Sequence, residues 1–576
     1  MKHQFYLAAM LLLMLGCNSG SSIKEVASAN DSAKQEHYCC TPKTTDKDWY
    51  SDTTTAPLFD GLSGIDFKIT TTSTRAQRYF NQGMMLSYGF NHAEAGRSFY
   101  QSMREDSNCA MCYWGFAYVL GPNYNGGMEP DNFQRAYDAV QKALKLSVNS
   151  NEKEKALIDA LTHRYAKDPP ENRSELDKDY AAAMKKVYTK YSDDADIGAL
   201  YAESLMDLHP WDLYEKKTKQ PKSWTPEIIA VLEHLMKQNP NHPGAHHFYI
   251  HALEASATPE LALQSAQLIP KLVPGSGHLV HMPAHIYINT GDYHLATLAN
   301  IDAIKVDSNY TTSCHAQGVY PLAYYPHNYH FLIATATLEG NSKLAWMASQ
   351  KMRANTSLDI MQKPGWGTLQ HYYTIPFYVA VKLAMWDTIF AFKDEAKELI
   401  YPNAVLHYAR GMAYLGKNDI AKAEVELIEL TKLANDTSLK ALSIWGINTT
   451  ADLMQIAVKV LKAELLEKQG KSNEAIALLK EAVAFEDQLN YDEPPDWFFS
   501  VRHYLGEELL NAGKFAEAEK VFLEDLKTWK ENGWALIGLY TSLQKQNKTA
   551  AATAVKTRFD KAWQYADFKI TSSSLL

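Results

Sequence analysis

A spacing of small and bulky residues recurs along the chain. A small residue is followed three positions later by a bulky one, twelve later by alanine, and sixteen later by a second bulky one. Gly83, Leu86, Ala95 and Phe99 fit it, as do Gly411, Tyr414, Ala423 and Leu427. Ala463, Leu466, Ala475 and Leu479 also fit, and so do Gly506, Leu509, Ala518 and Phe522. Two helices joined by a short turn satisfy this pattern. The small positions let helices approach, and the large ones fill the gaps between successive layers. The turn Asn511-Ala-Gly-Lys514 falls between the helices of the last unit. The middle of the chain follows the pattern more loosely. Ile250, Leu253, Ala262 and Ala266 match, with Pro274 where a unit ends. Ala284, Tyr287 and Ala296 match next, around the turn Thr290-Gly291-Asp292. A further unit runs from Pro326 to Ser357 with the turn Glu339-Gly340-Asn341, after an insertion at roughly 311–325 that holds Cys314, His315 and Tyr320-Pro321. Residues 120–240 read as helical without a clear phase, and no region reads as strand-rich.

This pattern resembles the tetratricopeptide-repeat family at both ends of the chain. The resemblance implies an all-α solenoid of helix–turn–helix repeats, with a concave groove that captures a protein or peptide. The expected organisation is a signal peptide over 1–16, a tether over 17–57 and N-terminal helical repeats over 58–240. Histidine-rich repeats follow over 241–360, and C-terminal tetratricopeptide repeats over 361–576.

Two histidine pairs carry the candidate chemistry. His247-Phe-Tyr-Ile-His251 and His281-Met-Pro-Ala-His285 lie 34 residues apart, the tetratricopeptide period. In that family the residues three before and one after the small slot of the first helix face the groove. His247 and His251 take these positions around Ile250, and His281 and His285 take them around Ala284. His330 and His503 stand three before Ile333 and Gly506, while His278 and His327 fall three residues earlier still. Residues four apart share a helix face and can reach one ion. Neutral imidazole suits zinc, copper, nickel or iron. The predicted ligands are therefore His247, His251, His281 and His285, with His278, His327 and His330 beside them and His503 too far along the array to join. Pro283 puts the helical geometry of the second pair in question. His246 is phased toward a neighbouring helix. The zinc-protease motif H-E-x-x-H is absent, and Glu254 is the candidate general base. Tyr249, Tyr287, Tyr324, Tyr325 and Asn328 are candidates for orienting a bound group.

Composition narrows the function class. The chain has 576 residues, 46% hydrophobic and 21% charged, with a formal net charge of −9. That balance, with no basic stripe, argues against nucleic acid as a partner. Lys2, the apolar run Leu7 to Leu15 and the sequence Met14-Leu15-Gly16-Cys17 resemble the signal and lipobox of bacterial lipoproteins. That resemblance implies lipidation of Cys17 and a membrane-anchored protein of the bacterial cell envelope. Cys39 and Cys40 lie in the tether. Cys109-Ala-Met-Cys112 opens a helix, where the pair would form a disulfide, act in redox chemistry or stay as buried thiols.

Three readings follow. One is an envelope-anchored binding scaffold whose histidine-lined groove holds a transition metal (Zn, Cu or Fe) and a partner. The second is a metal-dependent hydrolase or oxidoreductase built on the same histidines. The third is a glycan-capturing lipoprotein. Histidines that converge on one point favour the second reading; histidines splayed along a groove favour the first.

Overall fold

The computed structural model describes residues 43–51, 54–314, 316–393 and 395–576, with no side-chain detail at Cys314. Cys17, Cys39, Cys40 and the signal and lipobox expectations lie outside the described residues. Consecutive helices pack on one another along the described residues, beginning with Thr74–Tyr88 on His92–Glu105. Among the described residues the only paired strands are Ser443–Ile444 and Asn448–Thr449. No helix there is long and apolar enough to cross a membrane.

The recurring small and bulky positions interlock as the tetratricopeptide resemblance implies. A methyl group placed on Gly83 would lie 2.7 Å from the Phe99 ring, and one on Gly115 would lie 2.4 Å from it. Phe99 therefore plugs the space between two successive first helices. Phe522 repeats the arrangement between Gly506 and Gly538, each with 2.2 Å left for an added carbon. Phe99 and Phe522 are fully buried. Burial of such a ring is worth about 1.5–3 kcal/mol, and forcing a methyl group against it would cost about 1–3 kcal/mol. Helix starts are set locally: Ser73, Asn91, Ser276 and Asn341 each accept a hydrogen bond from a backbone N–H of the first turn. The turns at Gly291 and Gly340 need φ of 86° and 82°, which glycine reaches without strain.

Apolar residues from Ile65 to Tyr324 form one large core, and those from Tyr325 to Ile570 form another. The histidine-bearing helices lie where the two meet. Contacts from distant parts of the sequence close over them. From the N-terminal side, Tyr88 packs on Gly244, whose added methyl would stand 2.8 Å from the ring. From the C-terminal side, Lys530 accepts a hydrogen bond from Tyr293 Oη at 2.8 Å, and Trp534 Nε1 donates to Thr337 O at 3.1 Å. Glu493, in the long connection between helices Ser472–Glu486 and Arg502–Asn511, reaches Asn289 and Tyr491.

Candidate metal centre

Helix Pro243–Glu254 presents His247, His251 and Glu254 on one side. His242 fixes its start, Nδ1 accepting from the Ala245 N–H at 3.0 Å, and Pro243 sits in the first turn, where no N–H is needed. The next histidine-bearing stretch is split into Gly277–His281 and Pro283–Thr290, joined at Met282. Pro283 opens the second segment instead of interrupting a continuous helix. His281 and His285 still converge, Nε2 to Nε2, at 2.9 Å. A π-helical turn, Tyr320–Tyr324, leads into helix Tyr325–Leu338, which carries His327 and His330. Gly277 allows Asp307 to approach, since an added methyl would stand 1.9 Å from Asp307 Oδ1. Asp307 in turn accepts from Tyr320 Oη at 2.8 Å and from Asn328 Nδ2 at 2.7 Å, and Tyr320 Oη accepts from the His278 N–H at 3.2 Å.

Six of the seven predicted ligands form two sets of three. His247, His251 and His278 make one, and His281, His285 and His327 make the other. Within each set the ligand atoms lie within 4.8 Å of one another. His330 stands apart, its ring against His371 at 5.3 Å and Phe498 at 5.1 Å. His246 turns away as its phase predicted, bonded to Ser265 Oγ and Pro240 O, both at 2.8 Å. The expected open groove is closed here: His247, His251, His278, His281 and His285 are at most 3% exposed.

The ring partners decide which nitrogens are free. A carbonyl only accepts, so His247 Nδ1 carries the proton it donates to Tyr88 O at 2.6 Å. Asn300 commits its amide to Ala296 O at 2.8 Å, so its oxygen accepts from His281 Nδ1 at 2.7 Å. His251 Nδ1 donates to Glu254 Oε1 at 2.8 Å, and His251 Nε2 is buried with no hydrogen-bond partner among the described residues. His285 Nδ1 lies 2.5 Å from Glu254 Oε2 and 3.0 Å from Glu493 Oε2. In a neutral imidazole with Nδ1 protonated, Nε2 is a bare lone pair. The Nε2 atoms of His247 and His278 are 3.1 Å apart, matching the 2.9 Å between His281 and His285. Each approach is either a hydrogen bond from one Nε2–H to the other ring or a place where a cation joins two lone pairs. The Tyr88 carbonyl, Glu254 and Asn300 behind His247, His251 and His281 are the kind of support a metal-bound histidine has.

Burial keeps these rings neutral. It drives His251 down to about 3 and His281 to about 4, and holds His247, His278, His285 and His327 well below the ordinary histidine range, helped by neighbouring imidazoles at His247, His278, His285 and His327. The form present at neutral pH is therefore the form that binds metal. Burial acts oppositely on the acids. It pushes the carboxyl groups of Glu254 and Glu493 well up, and Asp307 to about 7. Glu254 thus spans the two sets, one oxygen on His251 and the other on His285.

Strained aromatic residues wall the centre. Phe90, Trp211 and Trp445 all have positive φ, at 53°, 57° and 51°, a conformation that costs bulky residues about 1–3 kcal/mol. Phe90 stacks on His251 at 5.8 Å, Trp211 meets the same ring edge-on at 5.8 Å, and Trp445 lies 6.1 Å from His327. A chamber of about 20 Å³ is lined by His278, His285, His327 and Asp492, enough for one water. Beyond it opens a cavity of about 450 Å³, in the range of small-molecule sites. Asn125, Tyr324 and Trp445 line both spaces. His92 lines the larger cavity, while Glu94 is buried against Arg97 at 3.2 Å.

Asn300, Glu493, Asp492 and the Tyr88 carbonyl escaped the sequence reading. Asn300 had a local signal, since it lies on the helix that follows His281 within the same repeat. Glu493 had none, arriving from 208 positions beyond His285 (493 − 285). Of the suggested orienting residues, Tyr324 packs edge-on to His278 at 5.4 Å and Asn328 holds Asp307, whereas Tyr249 Oη bonds Glu233 at 3.1 Å on another side. Cys109 and Cys112 are joined in a disulfide at the start of helix Ala110–Val119, buried in the N-terminal core.

No family model matches the sequence, and no curated protein matches it. Among solved structures, the human IFIT1 dimer with m7Gppp-AAAA is similar at 13% identity and a TM-score of 0.32, covering 86% of this chain and 91% of that one. Yeast Tom70 is similar at 14% identity and a TM-score of 0.30, covering 84% and 96%. The APC/C hetero-tetramer Cut9-Hcn1 gives 12% identity and a TM-score of 0.30, covering 86% and 78%. Likeness at this level bears on neither ligand nor activity.

Proposed function

We propose that this protein is a metal-dependent enzyme, a helical-repeat shell around a transition-metal centre that acts on a small molecule held in the adjoining cavity. One observation carries the reading: buried neutral imidazoles face one another through their Nε2 atoms while Nδ1 of His247, His251 and His281 is engaged behind them. A zinc, copper or iron ion bound there would polarise or activate an oxygen ligand, as a hydrolase or an oxidoreductase requires. Glu254 supports the rings of His251 and His285, a positioning role in place of the free general base expected from sequence. Asn300 and the Tyr88 carbonyl fix the tautomers of His281 and His247. The aromatic wall excludes bulk water, and Tyr324 and Trp445 stand between the substrate cavity and the histidines. The lipobox resemblance supports attachment to the bacterial envelope through Cys17 as part of the same proposal.

The test is elemental analysis of protein purified without a polyhistidine tag. At least one equivalent of transition metal per chain is expected, lost in the His247→Ala/His281→Ala double variant. Substoichiometric metal that is unchanged in that variant would sink the reading and return the protein to the class of binding scaffolds.

A further inference from the structure

Six imidazoles on one ion would fill an octahedral sphere and leave no open position. A catalytic zinc-type site uses three protein ligands and keeps a fourth position open. Here six imidazoles divide into two sets of three that share no member. Each set contains one Nε2-to-Nε2 approach, at 3.1 Å in the first and 2.9 Å in the second. Glu254 couples the sets, its two oxygens going to His251 of the first and His285 of the second. The chamber of about 20 Å³ is bounded by His278 from the first set and by His285 and His327 from the second. Open positions on both sides would therefore face the same space, which has room for one oxygen atom.

We infer that the centre is dinuclear, with one transition-metal ion in each histidine triad and a single water-derived ligand bridging them in the shared chamber. The inference rests on the metal reading above and adds stoichiometry, ligand assignment and the nature of the bridging group. The bridge forms when one water enters the chamber and binds both ions through its oxygen, releasing one proton to solvent if it becomes hydroxide. All six first-sphere donors are neutral. Binding two ions would ionise Glu254 and Glu493 beside His285 and Asp492 at the chamber wall, and these three carboxylates would offset the added positive charge.

Metal-free full-length protein is titrated with Co(II), and bound metal is counted after desalting. Two equivalents are expected. His251→Ala and His327→Ala should each retain one, and the variant carrying both should retain none. Fluoride, a single atom that fits the chamber, reports on the bridge through the visible spectrum of the cobalt form, with one fluoride per chain expected. A single cobalt in the wild type, lost in either variant, means one shared ion; that outcome overturns the dinuclear centre and leaves the metal reading standing. No bound cobalt overturns both. Two fluorides per chain, or none, overturn the shared chamber. The wild-type count needs no variant, so poor folding of either alanine variant leaves the test intact, and His251→Gln or His327→Gln then replaces it in the same triad.

Discussion

His281 and His503 hold the same place in their repeats, three residues before Ala284 and Gly506, and both are buried. Their surroundings differ. Lys382 Nζ donates to His503 Nδ1 at 3.0 Å, and His503 Nε2 faces Asp525 Oδ2 at 3.2 Å. Asn532 completes the group with a 2.8 Å bond to Asp525. Each nitrogen of His503 thus has a partner of opposite character, so the ring has no lone pair to offer an ion. His281 has such a partner only at Nδ1, and its Nε2 points at a second imidazole. The repeat slot delivers a histidine to the interior; the partners drawn in from other repeats decide whether both its nitrogens are engaged or one is left facing another imidazole.

Breaking the satisfied site should give the largest effect on folding. Asp525→Ala leaves His503 and the buried Lys382 without their acid. Removing one member of a buried charged group costs about 3–5 kcal/mol. Urea denaturation should show that loss, while metal content stays at the wild-type level. A matching fall in bound metal would mean that the two regions are not independent. Lys382 also donates to Ser573 O at 3.2 Å, tying down the C-terminal segment, so the same variant should expose that segment to proteolysis.

The amide that supports each histidine offers a finer comparison. Asn300 orients His281, and Asn532 serves the His503 group. Loss of such a support behind a metal ligand lowers metal affinity roughly 10–100-fold. Competition with a metal chelator should therefore show weaker binding in Asn300→Ala and wild-type binding in Asn532→Ala. Equal affinity in both variants would make His281 another structural post.

The repeat spacing made the helical pairs and their interlock legible, because Gly83, Phe99, Gly506 and Phe522 express a local packing rule. It also placed His247, His251, His281 and His285, since their slots follow from the same register. His330 shares that register yet departs from the centre, because its ring lodges against Phe498, from a connection with no repeat phase. The enclosure of the histidines was hidden for the same reason. Tyr88, Trp211, Trp445 and Glu493 reach the centre across long stretches of chain, and local periodicity carries no information about such pairings.

Acid and alkali should separate the two regions by the smallest but most specific effect. In the metal-free protein, burial lowers His251 to about 3 from 6.5. Between those values the unfolded chain binds more protons than the folded one, so stability falls as pH drops below 6.5. Burial lowers Lys382 to about 7 from 10.5. In that window the unfolded chain again holds more protons, so stability rises as pH climbs from 7 toward 10.5. Each group changes the slope by at most one proton, about 1.4 kcal/mol per pH unit. Unfolding free energies measured across pH for wild type and variant should differ accordingly. His251→Gln should flatten the acid limb alone and Lys382→Met the alkaline limb alone. Bound metal should steepen the acid limb of the wild type, because protons must then displace an ion from the rings as well as enter a buried site. His503 should show no such steepening, since its ring nitrogens are already occupied by Lys382 and Asp525.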